Sequence, residues 1–211
     1  MSAVLAQFSF EEAKIPPLPT PPPVAHFLLE NPIPGVVFLL LVAVVVFLML
    51  NARGRVRPAL LSAALIVVLA GVLFAVASIV DTDRERISAR TRELVGVVTA
   101  VDRAGMEEIL ADGLVTRATR VPRNATKDQV IAIVESEVGV KYRASAHEFL
   151  DLQAAMYGPR VGRTQTRVRV SSEYGGIPSW WLIDWHLEDD GIWRASRIEC
   201  LWIPGIPNPG G

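Results

Sequence analysis

Two hydrophobic patterns succeed one another along this chain, and the change between them divides it. Residues 35–50 (GVVFLLLVAVVVFLML) are apolar without a break. With Ile33, Pro34, Asn51 and Ala52 the run over 33–52 reaches about 20 residues, the length at which a helix crosses a bilayer. A second run, 58–80 (PALLSAALIVVLAGVLFAVASIV), opens on proline, whose missing N–H is harmless in the first turn of a helix. From 33 to 80 there is no acid and no lysine, and the only arginines are Arg53, Arg55 and Arg57 in the connection over 53–57. So short a link between two spanning helices predicts an antiparallel transmembrane hairpin with a basic turn.

In the second helix Ala64, Gly71, Ala75 and Ser78 recur along one side. Small residues let helices approach closely in lipid, where packing rather than hydrophobicity drives association. This stripe is expected to meet either the first helix of the hairpin or a partner subunit.

Beyond Asp81 the apolar positions turn periodic. Ile87, Thr91, Leu94, Val98 and Val101 recur at helical spacing, and no Gly or Pro intervenes before Gly96. A short helix is predicted over 106–112. A third is predicted over 127–138, with Val130, Ile131, Ile133 and Val134 inward and Thr126 and Asp128 as start signals. After Gly139 alternation replaces helical period and predicts strands over 145–156, 164–174, 179–188 and 192–203. Tyr157-Gly-Pro-Arg160, Gly175-Gly176 and Asp189-Asp190-Gly191 separate them. The fold class is therefore α+β: a transmembrane hairpin, then a domain over 81–203 of about three helices packed on a curved antiparallel sheet. Residues 1–32 and 204–211 are proline-rich tails that flank it.

The first tail favours extended polyproline II structure, and its Pro16-x-x-Pro19 spacing suits an aromatic groove or a stiff linker. No basic segment precedes the apolar run, so a signal peptide is not expected. From Asp81 onward 17 Lys and Arg face 19 Asp and Glu. That balance offers no basic face for nucleic acid. One cysteine, Cys200, and three histidines, His26, His147 and His186, give no metal-site pattern, and no cofactor is expected. The unopposed charge of the turn places it on the cytoplasmic side, with both termini outside. The four arginines after the second helix (Arg84, Arg86, Arg90, Arg92) are offset by Asp81, Asp83, Glu85 and Glu93. The expected location is the inner membrane of a bacterium, with the C-terminal domain periplasmic.

Two stretches carry a family resemblance. Residues 91–112 (TRELVGVVTAVDRAGMEEILAD) resemble the opening of nuclear transport factor 2-like (SnoaL-like, ketosteroid-isomerase-like) domains. Residues 181–197 (WLIDWHLEDDGIWRASR) are similar to that family's last hairpin. The resemblance covers about 84–203 and implies a cone of helices on a curved, cystatin-like sheet. In the family's enzymes polar groups inside that cone transfer protons, a carboxylate base working with tyrosine or histidine paired with aspartate. Here Tyr142, Tyr157 and Tyr174 lie outside the first domain helix, so the tyrosine role finds no counterpart.

Alternation puts Trp181 and Trp185 on the core side of their strand, with Asp184 and His186 on the other. Trp193 is also expected in the core and Cys200 as a small buried hydrophobe. His147 and Asp151, expected to share a face with Phe149 and Gln153, are the weak catalytic candidates. The function these features imply is a membrane-anchored, non-catalytic interaction or assembly module, an accessory subunit of a membrane complex. Its partners would be the bilayer and other membrane subunits or itself. The alternative is a tethered isomerase- or dehydratase-like enzyme, or a binder of a small lipophilic ligand in the cone.

Overall fold

A computed structural model describes residues 15, 17–19, 33–79, 82–118, 121–122 and 124–205. The chain forms two compact units: one within residues 20–83, the other comprising 1–19 with 84–211.

The first unit is a helical hairpin, α1 (Ile33–Ala52) and α2 (Val56–Ile79). Both are long and apolar enough to cross a membrane, with mean hydropathy 3.1 over Ile33–Ala52 and 2.5 over Val56–Ala75. The turn reverses through Gly54, whose φ of 71° suits a residue without Cβ, and Gly54 N–H donates to the Asn51 carbonyl at 2.9 Å. Helix α2 begins at Val56, ahead of the predicted start at Pro58, which the first helical turn accommodates. The hairpin seam closes over Ala43 from α1 and Ala59 and Ala70 from α2, each buried. Ala64, Gly71 and Ala75 are exposed, and the side chain of Ser78 lies outside the described residues.

The second unit is α+β. Helices α3 (Asp83–Ala100), α4 (Arg103–Ile109) and α5 (Lys127–Val134) pack on a five-stranded sheet of order β1-β5-β4-β3-β2. Its strands are β1 (Leu110–Arg117), β2 (Ala146–Gly158), β3 (Val161–Ser172), β4 (Gly175–Leu187) and β5 (Trp193–Trp202). Helix α5 starts in a capping box, the Thr126 hydroxyl accepting from Gln129 N–H and the Gln129 side chain from Thr126 N–H. Its α-helical part stops at Val134 and continues as a π-helical stretch, Glu135–Lys141, where the sequence predicts plain helix to 138.

Two expectations need correction. Residues 110–112 are strand, not helix, because α4 ends at Ile109 and the chain pairs with β5 from Leu110 on. The sheet is also mixed: β2 to β5 pair antiparallel, but β1 runs parallel to β5. Asp112-Gly113 interrupts β1, where the register slips between Leu110 and Val115, and that break hides the strand from an alternation pattern.

The core lies between helices and sheet. Ile87, Leu94, Met106, Ile109, Val130 and Ile131 from the helical side meet Ala154, Ile183, Trp185, Trp193 and Ala195 from the strands. Gly162 leaves room for Ile87, whose Cδ1 would stand 2.7 Å from an added Cβ. Trp185 is fully buried, whereas His186 is exposed. Replacing Trp185 with Ala should therefore destabilise the unit by about 3–5 kcal/mol. His186→Ala should change stability by no more than about 0.5 kcal/mol. Denaturant titration of both variants in detergent checks this, and equal losses would mean that the two faces of β4 are inverted.

Candidate functional site

The helix-covered side of the sheet is closed by a buried polar node. Thr91 on α3 donates to the Ile87 carbonyl at 2.7 Å or shares its proton with Thr164 on β3, 2.9 Å away. Trp185 Nε1 donates to the same Thr164 hydroxyl at 2.8 Å. All three residues are fully buried. Between the helices and the sheet the Trp185 indole is thus buried with its N–H satisfied by a threonine hydroxyl. Trp181 is only half-buried and donates to the Ser179 hydroxyl, while Trp193 is buried.

The weak catalytic pair is not assembled. Phe149 pairs with Val168, but Asp151 pairs with Arg167, so Leu150 is an extra residue that forms a bulge. A bulge shifts every later side chain by one position. His147 stays with Phe149, their rings in edge contact at 5.6 Å, while Asp151 emerges on the opposite face beside Gln153. The two candidates therefore lie on different faces of β2, which alternation alone could not reveal. On β4, Asp184 faces away from the helices as expected, but it is not solvated. Its carboxylate holds Arg163 at 2.5 Å and Arg197 at 3.7 Å, and its side chain is 16% exposed. His186 lies on the rim of an open depression of about 350 Å³, also lined by Arg160, Glu188, Asp189 and Asp190. Among the described residues no group of three or more His, Cys, Asp or Glu is placed to hold a metal.

The helix-free face carries an ordered set of polar and aromatic rows. The register sets Asp151, Arg167, Trp180 and Trp202 side by side across β2 to β5, and next to them Gln153, Gln165, Leu182 and Glu199. The Arg167 guanidinium lies 6.0 Å from the Trp180 ring centre, and Arg169 pairs with Glu148 at 2.8 Å. Gln165 is only 2% exposed although the helices lie on the other side of the sheet. Against this face lies a piece of the N-terminal tract: Leu18 N–H donates to Gln153 Oε1 at 3.3 Å. Ile15 and Leu18 are half-buried and Pro17 and Pro19 exposed, while Pro16 lies outside the described residues. The proline spacing alone could have pointed to this contact only as docking on some aromatic groove, not to its being made within the chain.

Cys200 faces the core and is 3% exposed. Burial pushes its thiol up to about 11, the Glu199 charge adds to the rise, and a backbone hydrogen bond at Trp202 opposes it. Glu199 points the other way, 3.9 Å from Arg117.

No protein-family model and no curated protein matches the chain. Solved structures similar to it include an NTF2-like protein from Cytophaga hutchinsonii, with 19% identity, covering 57% of this chain and 98% of that one at a TM-score of 0.47. A ketosteroid isomerase-like protein from Erwinia carotovora atroseptica has 12% identity and covers 57% and 96% at a TM-score of 0.49. A protein with a cystatin-like fold from Caulobacter vibrioides has 12% identity and covers 56% and 87% at a TM-score of 0.47. These likenesses concern fold and carry no chemistry to this chain.

With its ionisation near 11, roughly one Cys200 thiol in ten thousand is a thiolate at neutral pH. The native chain should resist iodoacetamide at neutral pH, react faster as the pH is raised toward 11, and react fully in denaturant. Rapid neutral alkylation of the folded chain would contradict the buried placement.

Proposed function

We propose that the chain is a membrane-anchored, non-catalytic interaction module: the hairpin lies in a bilayer and the α+β unit stands at its surface to engage other proteins. The observation that carries this reading is the Thr91–Thr164–Trp185 node, which occupies with packed side chains the place where a proton-transferring site would need open, polar space. Phe38, Leu61 and Leu65 of the hairpin are 65%, 73% and 71% exposed, a surface suited to lipid. Arg53, Arg55 and Arg57 in and beside the turn are exposed, which fits a cytoplasmic turn with both ends of the chain on the opposite side of a bacterial inner membrane. The outward stripe of Ala64, Gly71 and Ala75 supports contact with another membrane subunit or a second copy, the role of an accessory subunit.

The dehydratase-like alternative requires His147 and Asp151 to act together. In a strain where loss of the protein has a measurable phenotype, His147→Ala alone should therefore leave function intact, with Asp151 and its hydrogen bond to Gln153 untouched. Lost function at normal folding and membrane level would overturn the module and favour the enzyme.

A further inference from the structure

We propose that the helix-free face of the sheet is a docking site for a polyproline II segment, and that the described residues of the chain's own N-terminal tract, Ile15 and Pro17–Pro19, belong to its resident occupant. This rests on the interaction-module reading and names the kind of partner the module takes. In Ile15-Pro-Pro-Leu-Pro19 three of the five residues are proline, so after Ile15 only Leu18 offers a backbone N–H. A polyproline II helix makes no internal hydrogen bonds, so that single donor needs a partner from outside the segment. The sheet supplies it: Leu18 N–H reaches Gln153 Oε1 at 3.3 Å. The Gln153 amide is itself oriented, because its Nε2 donates to Asp151 Oδ2 at 3.0 Å. A carboxylate can only accept, so the NH2 end of Gln153 must face Asp151, and its oxygen is left for the peptide.

The side chains follow the same geometry. Polyproline II repeats every three residues, so Ile15 and Leu18 fall on one edge of the segment. Those two are half-buried, while Pro17 and Pro19, off that edge, are exposed. Further across the same face, Leu182 and the Trp180 indole lie on β4 and the Trp202 indole on β5, and proline-rich segments dock on surfaces of aromatic and apolar side chains. The bulge at Leu150 makes the arrangement possible, since without it Asp151 and Gln153 would point toward the helices. Two membrane spans also return the chain to the side it left, which puts tract and sheet in one compartment. A tethered occupant competes with a free one through its high effective concentration. The face is therefore open to a proline-rich segment of a partner only when residues 15–19 leave it.

The test uses the full-length chain in detergent and a fluorescent synthetic peptide of residues 13–20. Leu18→Asp, which replaces the half-buried apolar side chain with a carboxylate on a face that already holds Asp151, should release the tract and bind the peptide about tenfold more tightly than the unmodified chain. Adding Gln153→Ala to that variant should weaken binding roughly fivefold. Absence of saturable binding to Leu18→Asp, equal binding by the unmodified chain, or indifference to Gln153→Ala would each overturn the proposal. If the peptide fails to bind while the His147→Ala chain still functions, the docking site alone is lost and the module stands.

Discussion

The hydrogen bonds that join Thr91, Thr164 and Trp185 hold the two layers of the α+β unit in one relation. An indole N–H and two hydroxyls buried without partners would each cost about 1–3 kcal/mol, and here each satisfies another. The node pins α3 to β3 and β4, and Gly162 on β3 lets Ile87 of the same helix approach the strand. With the helix layer locked onto the sheet in this way, the interior is a core. What polar chemistry the sheet presents is carried by its other face.

That division of faces depends on bulges. The slip at Leu150 sends Asp151 and Gln153 outward, and those in β5, opposite Trp180–Trp181 and Asp184–Trp185, re-aim the residues that flank them. Asp184 then serves as a clamp for Arg163 and Arg197, and the presence of Asp184 raises the Arg163 guanidinium further above its ordinary value. The surface around the Gln153 row is thus stiffened by ion pairs and kept from solvent at Gln165.

Much of this was legible in the chain. Two apolar runs separated by a short arginine turn read as a hairpin because nothing but length and hydropathy is needed. The sides of β4 followed from alternation, which holds wherever strands pair without slips, and Thr126 with Gln129 marked a helix start by local bonding alone. What escaped depends on pairing with distant segments. Strand β1 is broken by Asp112-Gly113 and gains its identity only from β5, reached by a long parallel connection. The extra residue at Leu150 is visible only against β3, so alternation along β2 alone sets His147 and Asp151 on one face. The small residues of α2 were legible as a stripe but not as to the side they face, since Ala59 and Ala70, rather than Ala64 and Gly71, fill the hairpin seam.

The proline tract lies on the helix-free face through the Leu18–Gln153 hydrogen bond. Hydrogen exchange at the Leu18 amide reads this directly, because no other residue between Ile15 and Thr20 carries a backbone N–H. A hydrogen bond worth about 1 kcal/mol should slow that exchange roughly fivefold or more relative to the same amide in a free peptide. Exchange in the full-length chain at the rate of the free peptide would contradict it.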